Sequence, residues 1–524
     1  TLNITLMNVT ESLSSSSVNT SGSVTVSGHI ELTNGTNVSS TPIYIYQNGT
    51  LLAGGPDGNF SDFNQTHFDL GTYNSAQTIS NNITLDYNFG DGSDGNLSVT
   101  TTNKVINNYT YLSGNESAGN TSIVVNSGSE FSNNDEILVI QIQNVSNGVA
   151  GQYEFRKITS GGGTTTLTLD KGLEDSYYSG TFNSTSATVT QVVRVPNYNN
   201  VAINSGASII APGWGGWTGG IVVFRAKGNV SVTGTINVTG QGFRGGSTTT
   251  SYQGQQGESY CGLGTDTHTA NCGGGGGGDT DATTWTNGAG GAGHSAAGSD
   301  SPLCGSPGDG CATGGIQYGS ADLTKQIFFG SGGGRADSRF SGQSDGGGIV
   351  IIYASNITVD GGIIANGSSA PNYFGTGSGG NILLSTIDMN VGTNLVMARK
   401  GLEDSDNGAA GADGRISLDY ISLIGTTDPG SGFNATPSNY LSYGNFTSQV
   451  FDTSSTATYD SISWNNITSL NTSLILKTRT SADNSTWTEW SSAYTDNTGE
   501  SIQNLSNRYI QYKAELNTTN TSVT

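Results

Sequence analysis

Six consecutive glycines, Gly273 to Gly278, follow Asn271 and Cys272 and precede Asp279. Glycine loses more backbone entropy on folding than any other residue. Such a run is therefore either a flexible linker or a segment in which the absence of side chains is itself the packing requirement. The stretches "NGAGGAGHSAAG" and "GSGGGRADS" repeat the composition, and the chain holds 79 glycines in 524 residues, about double the usual share. A polyglycine chain can adopt the extended, threefold polyproline-II form, and several such strands can pack hexagonally and hydrogen-bond through their backbones. An ordered, polyglycine-II-like insertion is expected over 241–346, with a disordered loop as the alternative.

Four cysteines fall into two close pairs, Cys261/Cys272 and Cys304/Cys311, at the borders of the glycine runs. Local disulfides in an oxidising compartment are expected. A zinc site that adds His268 to the first pair is the alternative, but the spacing matches no standard finger. Charged residues make up 11% of the chain and the net charge is −22, which argues against nucleic acid and anionic membrane surfaces as partners. No apolar stretch approaches the roughly 20 residues of a membrane-spanning helix. Thr1 opens directly on a strand-like pattern, so a mature, processed chain is expected.

Asn-x-Ser/Thr acceptors are about twice as frequent as chance would give. They are Asn3, Asn8, Asn19, Asn34, Asn37, Asn48, Asn59, Asn64, Asn82, Asn96, Asn108, Asn115, Asn120, Asn144, Asn183, Asn229 and Asn237, then Asn356, Asn366, Asn434, Asn445, Asn466, Asn471, Asn484, Asn504, Asn517 and Asn520. None lies between Asn237 and Asn356. An extracellular N-glycoprotein is expected, of an abundance that favours an archaeal source, with the glycine-rich segment kept free of sugar.

Helix signals are nearly absent, and Gly, Thr, Ser, Asn and Val dominate. The fold class is all-β and multidomain. Residues 11–88 alternate at Val24, Val26, Ile30 and Leu32, then Ile43 and Ile45, before an Asn48-Gly49 turn. They resemble the Ig-like or transthyretin-like sandwiches of prokaryotic surface proteins. A small β-barrel is expected at 118–192, inserted into a region of internal repeats. "GGIVVFRAKGNVSVTGTINVTG" (219–240) aligns with "GGIVIIYASNITVDGGIIANG" (347–367) after one deletion, and more loosely with "GGNILLSTIDMNVGTNLVMARKG" (379–401). Repeats of about 20 residues with Gly or Asn at the corners are what the coils of a parallel β-helix require. Ile221, Val223, Val230, Val232, Ile236 and Val238 are expected to point inward, matched by Ile349, Ile351, Ile357, Val359, Ile363 and Ala365.

Across 89–425 the region resembles glycine-rich, β-helix-like surface and adhesin proteins of archaea and bacteria. The resemblance rests on "QVVRVPNYNNVAINSGASIIAPGWGGWTGGIVVFRA", "GFRGG", "YQGQQGESYCGLGT" and "GSADLTKQIFFGSGGG", and it implies location and architecture rather than activity. Similar glycine-rich arrays occur in anaplastic lymphoma kinase receptors and in some phage tail-fibre adhesins. Residues 430–524 resemble a jelly-roll-like β-sandwich module of prokaryotic exoproteins. Within them Ser481 to Trp487 is similar to the sialidase Asp-box, with Ser485 in place of its glycine, and a single box is a hairpin turn.

No catalytic constellation stands out. Asp360 and Asp388, with Arg225 or Arg399 as basic partners, are isolated candidates for polysaccharide cleavage. His29, His67, His268 and His294 form no ligand-spaced pair. Asp91, Ser93 and Asp94 admit a calcium loop but read better as a glycine-rich turn, so no cofactor is expected beyond covalent glycans. Trp214, Trp217, Trp487 and Trp490 are expected either to stack on sugars or to fill the core. The expected function is a structural subunit of an N-glycosylated cell-surface filament or coat. A carbohydrate-binding adhesin and a β-helix polysaccharide-degrading enzyme are the alternatives. Residues 1–10, with Leu2, Ile4 and Leu6, read as a donor strand for an open groove lined by Ile510 and Tyr512 in residues 430–524 of the next identical subunit.

Overall fold

The computed structural model describes residues 43–47, 50–51, 61–62, 71–74, 76–79, 82–85 and 87–519. Within the last span it omits 147–148, 181, 184–186, 248–253, 279–287, 304–310, 337–341, 371–372, 404–407, 436, 438–439, 467–471 and 505. The described residues are all-β, with no helix. The chain divides into two compact units, Phe89–Pro437 and Thr1–Asn88 with Ser438–Thr524.

The unit Phe89–Pro437 is built on parallel β-helical coils. Strands Leu97–Val99, Val201–Ile203, Ile221–Val232, Ile349–Val359 and Asn381–Met397 stack in parallel, and the last is flanked by Arg415–Asp419 and Ser422–Asp428. A further side of each coil is made by Ser208–Ile209, Thr235–Asn237 and Gly362–Ile364. The first two sequence repeats stack in register, Ile221 on Ile349 and Val232 on Val359, with one irregularity between Ala226 and Asn229 that absorbs the extra residue of the first copy. Strand Phe433–Ala435 pairs in parallel with Arg415–Asp419, so the coils run past 425.

The inward-facing residues differ in part from expectation. Val230, Val232, Ile236 and Val238 enter the core, as do Ile357, Val359, Ile363 and Ala365. Along the first side of each coil, however, Val222, Phe224 and Ala226 point inward, with Val350, Ile352 and Ala354 beneath them. Ile221, Val223, Ile349 and Ile351 face the other way and are equally buried. Strands covered on both faces read as continuous apolar runs, so "GIVVF" and "GIVII" carry no alternation from which the phase can be read.

Between Val99 and Val201 the chain leaves the coils to form an antiparallel sheet of six strands. In spatial order these are Tyr109–Tyr111, Thr188–Val195, Glu136–Asn144, Tyr153–Ser160, Thr166–Leu169 and Ser122–Val124. A bridge from Leu112 to Val125 closes it into a barrel, filled by Ile123, Phe131, Ile137, Val139, Ile158, Leu167 and Tyr177. Its strands begin before and end after the span 118–192. The barrel covers the outer face of the coil sheet. Asn107 Nδ2 donates to Val223 O at 2.6 Å and Tyr109 Oη to Ile221 O at 2.7 Å, while Arg225, 1% exposed, pairs with Glu136.

The second unit joins both ends of the chain. Ile43–Gln47 pairs with Ser461–Ser463, and Thr72–Asn74 with Tyr443–Thr447. Strands assigned from sequence to two sandwiches, 11–88 and 430–524, therefore share sheets in one. Asn507–Thr518 is central, between Thr472–Ser481 on one side and Phe451–Ala457 and Tyr443–Thr447 on the other. The core gathers Phe446, Phe451, Tyr459, Trp464, Leu476, Tyr494, Ile510 and Tyr512.

Candidate functional site

The glycine-rich insertion is a lattice rather than a linker. In the run Gly273–Gly278 the amides of Gly275 and Gly278 donate to Gly332 O and Arg335 O, that of Gly276 to Thr313 O and that of Gly277 to Thr267 O, all at 2.8 to 3.1 Å. The carbonyls of Gly275 and Gly278 accept from Gly257 and Gly254. Residues three apart thus face the same neighbour while those between face others, which is the screw of polyproline II. The same spacing recurs where Gly290 and Gly293 donate to Gly276 and Gly273, and where Gly332 and Arg335 donate to Glu258 and Gln255. None of Gly273–Gly278 has a positive φ, so packing imposes glycine here. A Cβ on Gly275, Gly276 or Gly277 would fall under 3.0 Å from the carbonyl oxygen of Gly290, His268 or Gly254 respectively.

Two charged side chains of the lattice, Arg244 and Glu258, form an ion pair at 2.8 Å. Glu258 is 2% exposed. Its Oε1 accepts from Gln143 Nε2 at 2.8 Å and Trp214 Nε1 at 3.0 Å, and its Oε2 from Arg244 Nε at 2.8 Å. The Arg244 guanidinium lies over Phe182 at 5.3 Å, and its Nη2 is buried without a hydrogen-bond partner. The Arg244 side chain, partly exposed, borders a hollow of about 380 Å³ lined also by Ser247, Gln255, Gln256, Leu263 and Gln343. A guanidinium edge among amide and hydroxyl groups is suited to a polar ligand that accepts hydrogen bonds. Sequence reading missed Arg244 and Glu258. The available signal was a lone charge in each of "GFRGG" and "QGES", with no other charge at 245–257 or 259–265.

His294 is fully buried beneath the same lattice, its ring stacked on Tyr318 at 4.7 Å, with Nδ1 2.6 Å from Gly379 O and Nε2 without a partner. Burial, reinforced by the nearby Arg415 guanidinium, pushes its pKa from 6.5 down to about 3. The unfolded chain therefore takes up a proton below pH 6.5 that the folded chain refuses until about pH 3. Stability should decline as pH falls across that window. In thermal unfolding followed from pH 7 to 3.5, His294→Gln should show a shallower decline than the parent protein.

The bridge Cys261–Cys272 is present, with Cα atoms 6.2 Å apart, which removes the zinc alternative at this pair. Cys311 is also disulfide-bonded, and Cys304 lies outside the described residues. Among the sequons, Asn96, Asn115, Asn120, Asn183, Asn229, Asn434, Asn484 and Asn517 are exposed, and Asn108, Asn237, Asn356, Asn366, Asn445, Asn466 and Asn504 half-buried. Asn144 differs from the others: it is 8% exposed, its Oδ1 accepts from Ser146 N and its backbone N–H donates to Tyr260 O. The amides of Asn229 and Asn356 meet at 2.9 Å on successive coils. Asn3, Asn8, Asn19, Asn34, Asn37, Asn48, Asn59, Asn64, Asn471 and Asn520 lie outside the described residues, and of Asn82 only the strand is described.

The catalytic candidates do not converge. Arg225 is stacked between Phe155 and Tyr353 at 4.6 and 4.4 Å and bonded to Glu136. Arg399 pairs with Asp428, Asp388 sits beside Asn356 in the coil stack, and Asp360 is exposed. In the 91–94 turn, Asp94 spends its oxygens on Arg194 Nη2 at 2.6 Å and Asn197 N at 2.7 Å. Trp214 is buried and Trp217 stacks on Tyr111 at 4.6 Å. Arg479 lies between Trp487 and Trp490, 4.8 and 4.6 Å from their rings. Ile510 and Tyr512 are 0% and 1% exposed within a strand paired on both sides. Their side chains belong to the core of the second unit. Leu2, Ile4 and Leu6 lie outside the described residues.

No protein-family model matches the sequence, and no curated protein does. Among solved structures, the Gp54 tailspike of Acinetobacter baumannii bacteriophage AP22, in complex with A. baumannii capsular saccharide, is 8% identical, with 81% of this chain and 89% of that chain covered and a TM-score of 0.16. The tailspike gp49 from Pseudomonas phage LKA1 is 9% identical (81% and 88% covered, TM-score 0.16), as is the Pseudomonas phage phi297 tailspike gp61 (82% and 86%, TM-score 0.16). Among the described residues no helix is long and apolar enough to cross a membrane.

Proposed function

We propose that this chain is a structural subunit of an extracellular, N-glycosylated filament or coat in which identical copies associate head to tail. The observation that carries this reading is the sequon-free glycine lattice. Its backbone satisfies itself strand by strand, a stiff arrangement with no room for side chains, while eight sequon asparagines elsewhere are exposed and seven half-buried. The dispersal of Asp360, Asp388, Arg225 and Arg399 supports a structural over a catalytic role. Electron microscopy of native material should show filaments or a lattice, and dispersed single particles would overturn the assembly. Glycopeptide mapping should find sugar on exposed sites such as Asn115, Asn120 and Asn484 and none on Asn144. A protein mass unchanged by deglycosylation would sink the glycoprotein reading.

The hollow at Arg244 favours a second reading, an adhesin that binds an acidic polysaccharide. Binding on a glycan array that is lost in Arg244→Gln would support it.

A further inference from the structure

The stack of coils ends in two open edges. Among the described residues, Leu97–Val99 in the first coil pairs only with Val201–Ile203, and Ser422–Asp428 in the last only with Asn381–Met397. Strand Phe433–Ala435 covers Arg415–Asp419 but not Ser422–Asp428. Ser98 and residues 100–105 are exposed along the first edge, and Ser422 and residues 424–426 along the last, where Ile424 is 64% exposed. One apolar column runs the length of the stack, with Leu97, Val201, Val230, Ile357, Met389 and Leu423 in register. Its four inner members are 1 or 2% exposed, whereas Leu97 and Leu423 are only partly buried. The column is thus left partly open at both ends. Charge distinguishes the two edges. Lys104 is the only charged residue in 97–106, and Asp428, which also pairs with Arg399, is the only one in 420–434.

An edge strand presents N–H and C=O groups that can template a further strand. We infer that the last edge of one copy, Ser422–Asp428, receives the first edge of the next, Leu97–Val99 with Lys104, so that the β-helix continues from subunit to subunit. This rests on the head-to-tail reading above and gives it a contact surface. One further step of the ladder sets Leu97 of the next copy on Leu423 and its Ser98 on Ile424. The adjoining side of the coils carries a second ladder, from Lys104 through Ile209, Ile236, Ile363 and Val396 to Thr427. The same step sets Lys104 of the next copy on Thr427, beside Asp428. A second copy suits these edges better than an unrelated protein because they complete each other. Both ladders continue in phase, the joined strands run parallel, and the lone cation meets the lone carboxylate in a chain of net charge −22 whose copies otherwise repel. The contact covers the open ends of the apolar column with each other. It is heterologous and does not close, so it propagates as a filament.

The test is electron microscopy and sedimentation of the purified whole chain, with variants at each edge. The parent should form filaments. Leu97→Asp and Leu423→Asp should each remain single particles, since a carboxylate buried in the joined column has no partner. Mixed together they should form pairs and nothing longer, because the intact last edge of Leu97→Asp receives the intact first edge of Leu423→Asp. Lys104→Glu alters only an exposed side chain, should shorten the filaments severalfold at low salt, and decides the matter if either aspartate variant fails to fold. Filaments of parental length in both aspartate variants, or in Lys104→Glu where it decides, would overturn this contact while leaving head-to-tail assembly through another surface standing. Single particles in the parent would overturn both.

Discussion

Replacing Gly275 with alanine should cost ~3 kcal/mol or more, a large part of the stability of an ordinary domain. The added methyl would fall under 3.0 Å from Gly290 O, Gly290 C and Gly334 N alike. These are backbone atoms of two lattice strands, so no rotamer change relieves the clash. Relief requires strands to part, which breaks the bonds from Gly275 N to Gly332 O and from Gly290 N to Gly276 O. Gly114→Ala is the control, since a Cβ there meets nothing within 4 Å, and it should lie within about 0.5 kcal/mol of the parent. Denaturant unfolding of both variants provides the comparison. Equal stabilities would mean that the lattice does not exist in solution.

The second large effect is expected at the ion pair that ties barrel to coil. Glu136→Gln should destabilise by ~3 to 5 kcal/mol, because it leaves a buried guanidinium without its counter-charge. Arg225 Nε lies 2.9 Å from both carboxylate oxygens, and the aromatic rings of Phe155 and Tyr353 sandwich its guanidinium. Combining Glu136→Gln with Arg225→Met should recover most of the loss, since a thioether fits between two rings and carries no charge. A double variant no more stable than the single one would show that the guanidinium is held by more than this pair. Double-mutant analysis of chemical unfolding separates these outcomes.

Much of the fold was legible because its signals are local. The repeats at 219–240 and 347–367 announce coils, and they stack with the predicted one-residue difference at Ala226–Asn229. The glycine runs announce threefold strands, since no other residue permits that packing. The phase of Ile221 and Val223 was not legible, because a strand buried on both faces has no polar side to mark. Arg225 read as a surface charge with catalytic potential, although its partner Glu136 lies on another element 89 residues away. Asn144 satisfies the sequon pattern like its neighbours, yet the amide and the carbonyl that enclose it come from residues 146 and 260.

By itself, the sequence determined that the chain is all-β, that its middle repeats as coils, that its glycines must pack as backbone and that Cys261 and Cys272 are close enough to join. Each follows from spacing or from what a residue type can sterically do. Only the tertiary structure decided which strands meet. Ile43–Gln47 joins Ser461–Ser463, Ile510 and Tyr512 are buried in the core of that unit, and Arg225 is buried against Glu136. Alternation tells a strand which of its faces is apolar, but a backbone hydrogen bond is the same with any partner. The choice of partner is made by the shape and charge of surfaces brought together from distant parts of the chain.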